Sequence, residues 1–369
     1  MGGLEIESVE IDGVPVEYER VEPDLILTPE TPIAPKATFE IEIHYRGVPK
    51  PAMDPLFGGV GWLQFDGGTY VASEPNGASS WFPCNDHPSD KALFSFKIDV
   101  PRETEAIANG QRISVTPDGE RTAWVWETTE PMATYLATVV VGEFTIIEAT
   151  GPDGLPIVHA IADSESAVGA GHVQDTARMI DFFDDYFGSY PLGSYGLIVL
   201  PTPLGFALET QTRSLFGSDL YQDAPIRAHE LAHQWFGDSL TPQQWDDIWL
   251  NEGFATYAEW MWVEAAGGQS VESRASSYSA NPGLDTPPGD PGVDELFGQS
   301  VYDRGALTLH GIRTKVGDDK FFDILRTWAS ENRDGNVSTD EFIDLVESKT
   351  GTDWVDYFDT WLYQPQFPG

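Results

Sequence analysis

The sequence predicts an α+β fold in two domains: a β-sandwich-like domain over residues 1–162, then a domain of mixed helices and strands over 163–369. Three observations carry this. A chain of 369 residues is long enough for two domains, and its 41% hydrophobic content is ample for packed cores. Up to about residue 160, short stretches alternate apolar and polar between Gly and Pro turns, the mark of half-buried strands. After about residue 165 the apolar spacing becomes helical.

The elements follow in order. Thr38 to Tyr45, Leu93 to Val100 and Ala123 to Trp126 read as strands of the first domain. Met179, Ile180, Phe182, Phe183, Tyr186 and Phe187 have helical spacing, with Gly188 as a stop and Pro191 beyond it. Leu197 to Leu200 reads as a buried strand. Residues 265–300 are rich in Gly, Ser and Pro, which predicts a long loop. Helices are expected over 306–316, 320–330, 339–349 and 354–363. Asp334 to Glu341 resembles part of a calcium loop, but Ser330 stands at its first ligand position. Ser338 to Glu341 is the better reading, as the capping box of the next helix.

Charge excludes some functions. There are 20 basic and 60 acidic residues, a net charge of −40, so the surface is wrong for phosphate backbones and nucleic acid is not an expected partner. The acidic residues are dispersed rather than gathered in a tail, which suggests a surface adapted to high salt, where self-repulsion is screened. The single cysteine, Cys84, precludes an internal disulfide, and its aromatic neighbours make it a core residue. No apolar run is long enough to span a bilayer and no signal peptide stands at the start, so a cytoplasmic location is expected over secretion.

The chemistry is concentrated in His229-Glu230-Leu231-Ala232-His233 and, after eighteen intervening residues, in Glu252. Histidines four apart lie one helical turn apart on one face, so both imidazoles can reach one metal ion. Glu252, in an otherwise apolar segment from Trp249 to Tyr257, would complete a three-ligand zinc site with an open fourth position. Glu230 projects to the same cleft and is placed to take a proton from a metal-bound water. Pro225 sits near the start of the first helix, where proline is tolerated.

With these helices, Trp81 to Pro88, Phe206 to Thr210 and Val301 to Ala306, nearly the whole chain resembles the zinc aminopeptidases of the gluzincin clan, the family of aminopeptidase N and leukotriene-A hydrolase. The resemblance implies a saddle-like β domain packed on a thermolysin-like catalytic domain, one zinc ion per chain, and peptides with a free N-terminus as substrates. It implies zinc ligands His229, His233 and Glu252, Glu230 as general base, and Tyr302 as the hydroxyl that stabilises the oxyanion. It implies that Glu209 pairs with the substrate amine and that Glu74 adds a second amine-binding carboxylate. The peptide would join the chain edge-on beside Ala207 and Leu208. The segment departs from the family at Phe206, which replaces a glycine, and at Leu208 and Thr210. The first domain is expected to be about fifty residues short of family size, and a short two-domain form without the helical C-terminal domain is expected. Two alternatives stand beside the aminopeptidase reading: a thermolysin-type endopeptidase, and a non-catalytic interaction module that keeps the fold.

Overall fold

The computed structural model describes residues 3–21 and 24–369. In the first part Leu4–Ile11 pairs antiparallel with Ile41–Gly47 and with the short Val14–Pro15, and Glu17–Val21 forms a hairpin with Asp24–Thr28. The strand expected from Thr38 begins only at Ile41, because its partner ends at Ile11, where Asp12 and Gly13 turn the chain at positive φ. A five-stranded sheet runs in the order Glu105–Ala108, Val139–Gly142, Gly68–Ala72, Gly58–Phe65, Ala52–Asp54. Gln111–Asp118, Arg121–Glu127 and Ser95–Pro101 form a three-stranded sheet. Within Arg121–Glu127, Trp124 and Trp126 alternate inward and are buried, as a period of two requires.

A second five-stranded sheet carries one wall of the candidate site. Its order is Phe144–Thr150, Pro156–Ala162, Leu197–Val199, Ser214–Phe216, Ala207–Leu208, with parallel pairing at its centre and Ala207–Leu208 on the edge. Phe144–Ala162 therefore hydrogen-bonds across the 162/163 boundary that the sequence suggests. Alternation identifies a strand but does not say which sheet receives it.

The helices are α1 (Ser166–His172), α2 (Thr176–Phe187), α3 (Ala224–Ala232), α4 (Trp249–Ala265), α5 (Val271–Tyr278), α6 (Gln299–Val316), α7 (Asp318–Glu331), α8 (Thr339–Thr350) and α9 (Val355–Phe358), the last followed by a wider turn over 359–363. Helix α5 interrupts the expected 265–300 loop. Ser270 caps it by accepting from the Ser273 N–H, but its many serines and alanines hide the helical period. Helix α6 starts at Gln299 rather than Ala306, so Tyr302 is helical. Both halves of the Ser338–Glu341 capping box form at α8. Among the described residues no helix is long and apolar enough to cross a membrane.

Two features position the site. Helices α4 and α6 cross with Gly253 against Gly305, so close that a Cβ on Gly253 would lie 2.9 Å from Gly305 backbone. The crossing brings Glu252 and Tyr302, each one to three residues from a glycine, to the same cavity. The β-rich part is tied to the helical part by Lys91, whose ammonium donates to the carbonyls of Asp238 (2.8 Å), Ser239 (2.9 Å) and Gly335 (3.3 Å).

Candidate active site

Helix α3 has proline in its first turn and ends at Ala232, while His233 keeps helical dihedrals (φ −57°, ψ −26°). The His229 and His233 rings thus share a face, with centroids 4.7 Å apart. Glu252 lies in the first turn of α4. Its Oε2 is 3.2 Å from His229 Nε2 and 3.3 Å from His233 Nε2, and one ligand atom from each residue falls within 4.8 Å of the others. His233 Nδ1 is 3.0 Å from the Phe236 carbonyl. A carbonyl can only accept, so Nδ1 carries a proton and Nε2 is the ring nitrogen available to a metal ion. Behind His229, Glu259 Oε2 lies 3.9 Å from Nδ1, and Arg274 donates to the other Glu259 oxygen at 2.8 Å. Two converging imidazoles and a carboxylate fit a zinc ion in both donor type and spacing.

The electrostatics are one-sided. Glu74, Glu209, Glu230 and Glu252 are all buried against two imidazoles. Burial works to raise the Glu252 carboxyl, but His233 and His229 overcome it and hold it at about 2. Burial above all pushes Glu74, Glu209 and Glu230 upward, with repulsion among the carboxylates adding to it. Burial favours neutral His233, yet Glu209 and Glu252 outweigh it and raise the ring well above its usual value. Glu74 Oε1 and Glu209 Oε1 are buried without a hydrogen-bond partner among the described residues. Such a site is short of cations, and a metal ion and an ammonium group would each relieve it.

The remaining parts surround this centre. Glu209 directly follows the edge strand Ala207–Leu208, whose outer edge has no strand neighbour among the described residues. Tyr302 stacks at 6.0 Å from the His229 ring, and burial first, then Glu252, keeps its hydroxyl well above the usual range and so protonated. One cavity of about 290 Å³ is lined by all nine residues singled out from the sequence: Glu74, Ala207, Leu208, Glu209, His229, Glu230, His233, Glu252 and Tyr302.

The sequence reading missed Glu259, Phe57, Val60 and Phe297 in the same wall. Glu259 could have been found, because it follows Glu252 by seven residues and so shares its helix face. Phe57 and Phe297 gave no signal. They meet at 5.1 Å, and Phe57 meets Phe206 at 5.8 Å, across segments far apart in the chain.

The chain is 30% identical to "Probable aminopeptidase 1" of Sulfurisphaera tokodaii over 99% of its own length and 49% of that protein. It is 28% identical to glutamyl aminopeptidase of Rattus norvegicus over 80% of this chain and 34% of that one. The chain therefore spans about half, or less, of the length of these curated relatives. Among solved structures, the M1 zinc metallopeptidase of Deinococcus radiodurans superposes with a TM-score of 0.91 at 31% identity, covering 100% of this chain and 86% of that one. A mutant of that enzyme has been solved with a Tyr-Ser-Ala substrate, and a two-domain M1 zinc metallopeptidase mutant at 31% identity has been solved with L-arginine. The model of the peptidase M1 N-terminal domain matches residues 4–136, and that of the peptidase family M1 domain matches residues 172–361, which contain both helices of the histidine–glutamate cluster. By these matches and by the fold that they share, the chain belongs to peptidase family M1.

Proposed function

We propose that this chain is a zinc-dependent aminopeptidase that hydrolyses the first peptide bond of peptides with a free N-terminus. The observation that carries this is the Glu209 carboxylate, whose Oε1 is buried without a hydrogen-bond partner among the described residues, at the end of a strand edge and in the same cavity as the His229–His233–Glu252 cluster. His229, His233 and Glu252 would hold the zinc ion, which when bound supplies a Lewis acid that polarises the peptide carbonyl and acidifies water.

The chain's own residues do the rest. The edge of Ala207–Leu208 offers backbone groups to an extended peptide. Glu209 and Glu74 receive the ammonium group, so a peptide lacking that charge leaves two buried carboxylates unpaired. Glu230 takes a proton from the attacking water and passes it to the leaving nitrogen as the C–N bond breaks. The Tyr302 hydroxyl, kept protonated by burial, donates to the carbonyl oxygen as negative charge gathers there.

Paired peptides with free and acetylated N-termini test the reading. Cleavage of the free form at its first bond, with the acetylated form resistant, is expected; equal cleavage of both would establish the endopeptidase alternative. Metal analysis should find one zinc per chain. No turnover of any peptide by the zinc-loaded protein would leave a non-catalytic module. Two further features belong to this proposal: a cytoplasmic location, supported by a lone cysteine, and a salt-adapted surface, supported by the 60 acidic residues.

A further inference from the structure

The turn that follows Glu209 is strained and held from both sides. The Arg213 N–H donates to the Thr210 carbonyl at 2.8 Å, closing a four-residue turn with Thr212 as its third residue at φ +67°. That position normally takes glycine, and a β-branched residue there is an outlier. Such a conformation persists only where the surroundings over-determine it. Here they do. The Thr212 N–H donates to Gln234 Oε1 at 2.7 Å, and its hydroxyl accepts from the Gly110 N–H at 2.7 Å. Asn109 Nδ2 donates to the Gln211 carbonyl at 2.7 Å, and Arg213 donates to the Gly110 carbonyl at 2.8 Å.

Gln234 uses both ends of its amide. While Oε1 accepts from Thr212, Nε2 donates to the Glu209 carbonyl at 2.9 Å, and the side chain is fully buried. The Glu209 carboxylate, by contrast, has a buried oxygen with no partner. Its place in the cavity is set through its backbone. Gln234 is the residue after His233, so one side chain spans from the metal-ligand segment to the turn that carries Glu209. An ionised Glu has no donor, Met has only a weak acceptor and no donor, and Asn is one methylene short.

We infer that Gln234, with Asn109 and Gly110 bracing the same turn from the β-rich part, is a positioning device for amine recognition: it sets the separation of Glu209 from the His229–His233–Glu252 cluster. The inference rests on the reading of Glu209 as the amine-binding carboxylate. A fixed separation is what makes a peptidase count one residue from the N-terminus. A mispositioned carboxylate weakens binding of the ammonium group but leaves Glu230 and the metal ligands in place.

The test is Gln234→Met, of similar volume and without hydrogen bonds, assayed as the full chain with aminoacyl fluorogenic amides. KM should rise about tenfold, the loss of about 1.4 kcal/mol, with kcat within about threefold of the parent. Zinc affinity, measured by chelator competition, should be unchanged, which separates positioning of Glu209 from damage to His233. A folded, zinc-loaded Gln234→Met protein with parental KM would overturn the inference. Should that variant not fold, Gln234→Asn keeps the amide but is one methylene short of spanning from the Thr212 N–H to the Glu209 carbonyl. It should also raise KM, and an unchanged KM overturns the inference equally. Failure of the underlying reading looks different: the parent protein would itself cleave acetylated and free peptides alike. If the parent discriminates and Gln234→Met discriminates as well as it does, only the positioning role falls.

Discussion

Replacing Glu209 by Gln isolates the contribution of one buried charge to amine recognition. Gln is isosteric, so the backbone bond from Gln234 to the Glu209 carbonyl and the turn beyond it can persist. What is lost is a charge-assisted hydrogen bond to the ammonium group, worth about 1.5–3 kcal/mol against about 0.5–1.5 kcal/mol for a neutral one. Glu74 remains in the cavity and still attracts the amine. A net loss of about 1–2 kcal/mol follows, or about 5–30-fold in KM. Stability should move the other way. Glu209 is 2% exposed and its Oε1 has no partner, so neutralising it removes a desolvated charge that repels its neighbours. The assay is steady-state kinetics on aminoacyl amides, with a thermal melt of the zinc-loaded protein. A KM equal to the parent's would refute the assignment. So would a KM rise accompanied by a lower melting temperature, which would mark Glu209 as a structural carboxylate.

Four other perturbations read different parts of the molecule. Glu230→Gln should keep zinc and lose turnover by about 10²–10⁴-fold, measured in single-turnover assays with metal analysis; retained turnover would remove Glu230 as the base. Arg304 is fully buried and donates to the carbonyls of Leu284 (2.9 Å), Thr360 (3.1 Å), Trp361 (2.6 Å) and Gln364 (2.6 Å). Arg304→Met should therefore cost about 3–5 kcal/mol in urea unfolding, and a loss below about 1 kcal/mol would mean that those carbonyls find water instead. His159 is buried, its Nδ1 accepts from the Leu197 N–H, and burial lowers its pKa from 6.5 to about 3. Its contribution to stability is then complete above pH 6.5 and is lost as the pH falls toward 3, by up to about 5 kcal/mol; acid titration of His159→Gln should show a shallower decline over that window. Finally, a net charge of −40 predicts that the unfolding midpoint rises as salt is raised from about 0.1 to 1 M, where the Debye length falls from about 10 to 3 Å; a midpoint indifferent to salt rejects the salt-adapted surface.

What could be read from sequence and what could not follows the range of the interactions involved. His229, Glu230 and His233 lie within one turn and a half of one helix, so local geometry alone brings their side chains together. Strands such as Arg121–Glu127 were legible for the same reason, through alternation. Sheet membership was not, and Phe144–Ala162 falls in the second sheet although its pattern matches the first. Helix α5 was obscured because its sequence, Val271 to Tyr278, has serine and alanine where a period would show. The cavity divides along the same line. Its metal half is built from residues within two adjacent helices. Its other half, the proposed amine site, depends on Gln234 reaching Glu209 and Thr212, on Asn109 and Gly110 reaching Gln211 and Thr212, and on Glu74 arriving from the β-rich part. None of these has a spacing that a linear reading could detect. Substitutions far from the metal motif, in the 109–110 and 209–213 segments, should therefore alter amine selectivity and leave zinc binding intact. On the proposed function, hydrolytic chemistry would be written locally in this chain, whereas counting from the N-terminus would be a property of how its two parts are docked.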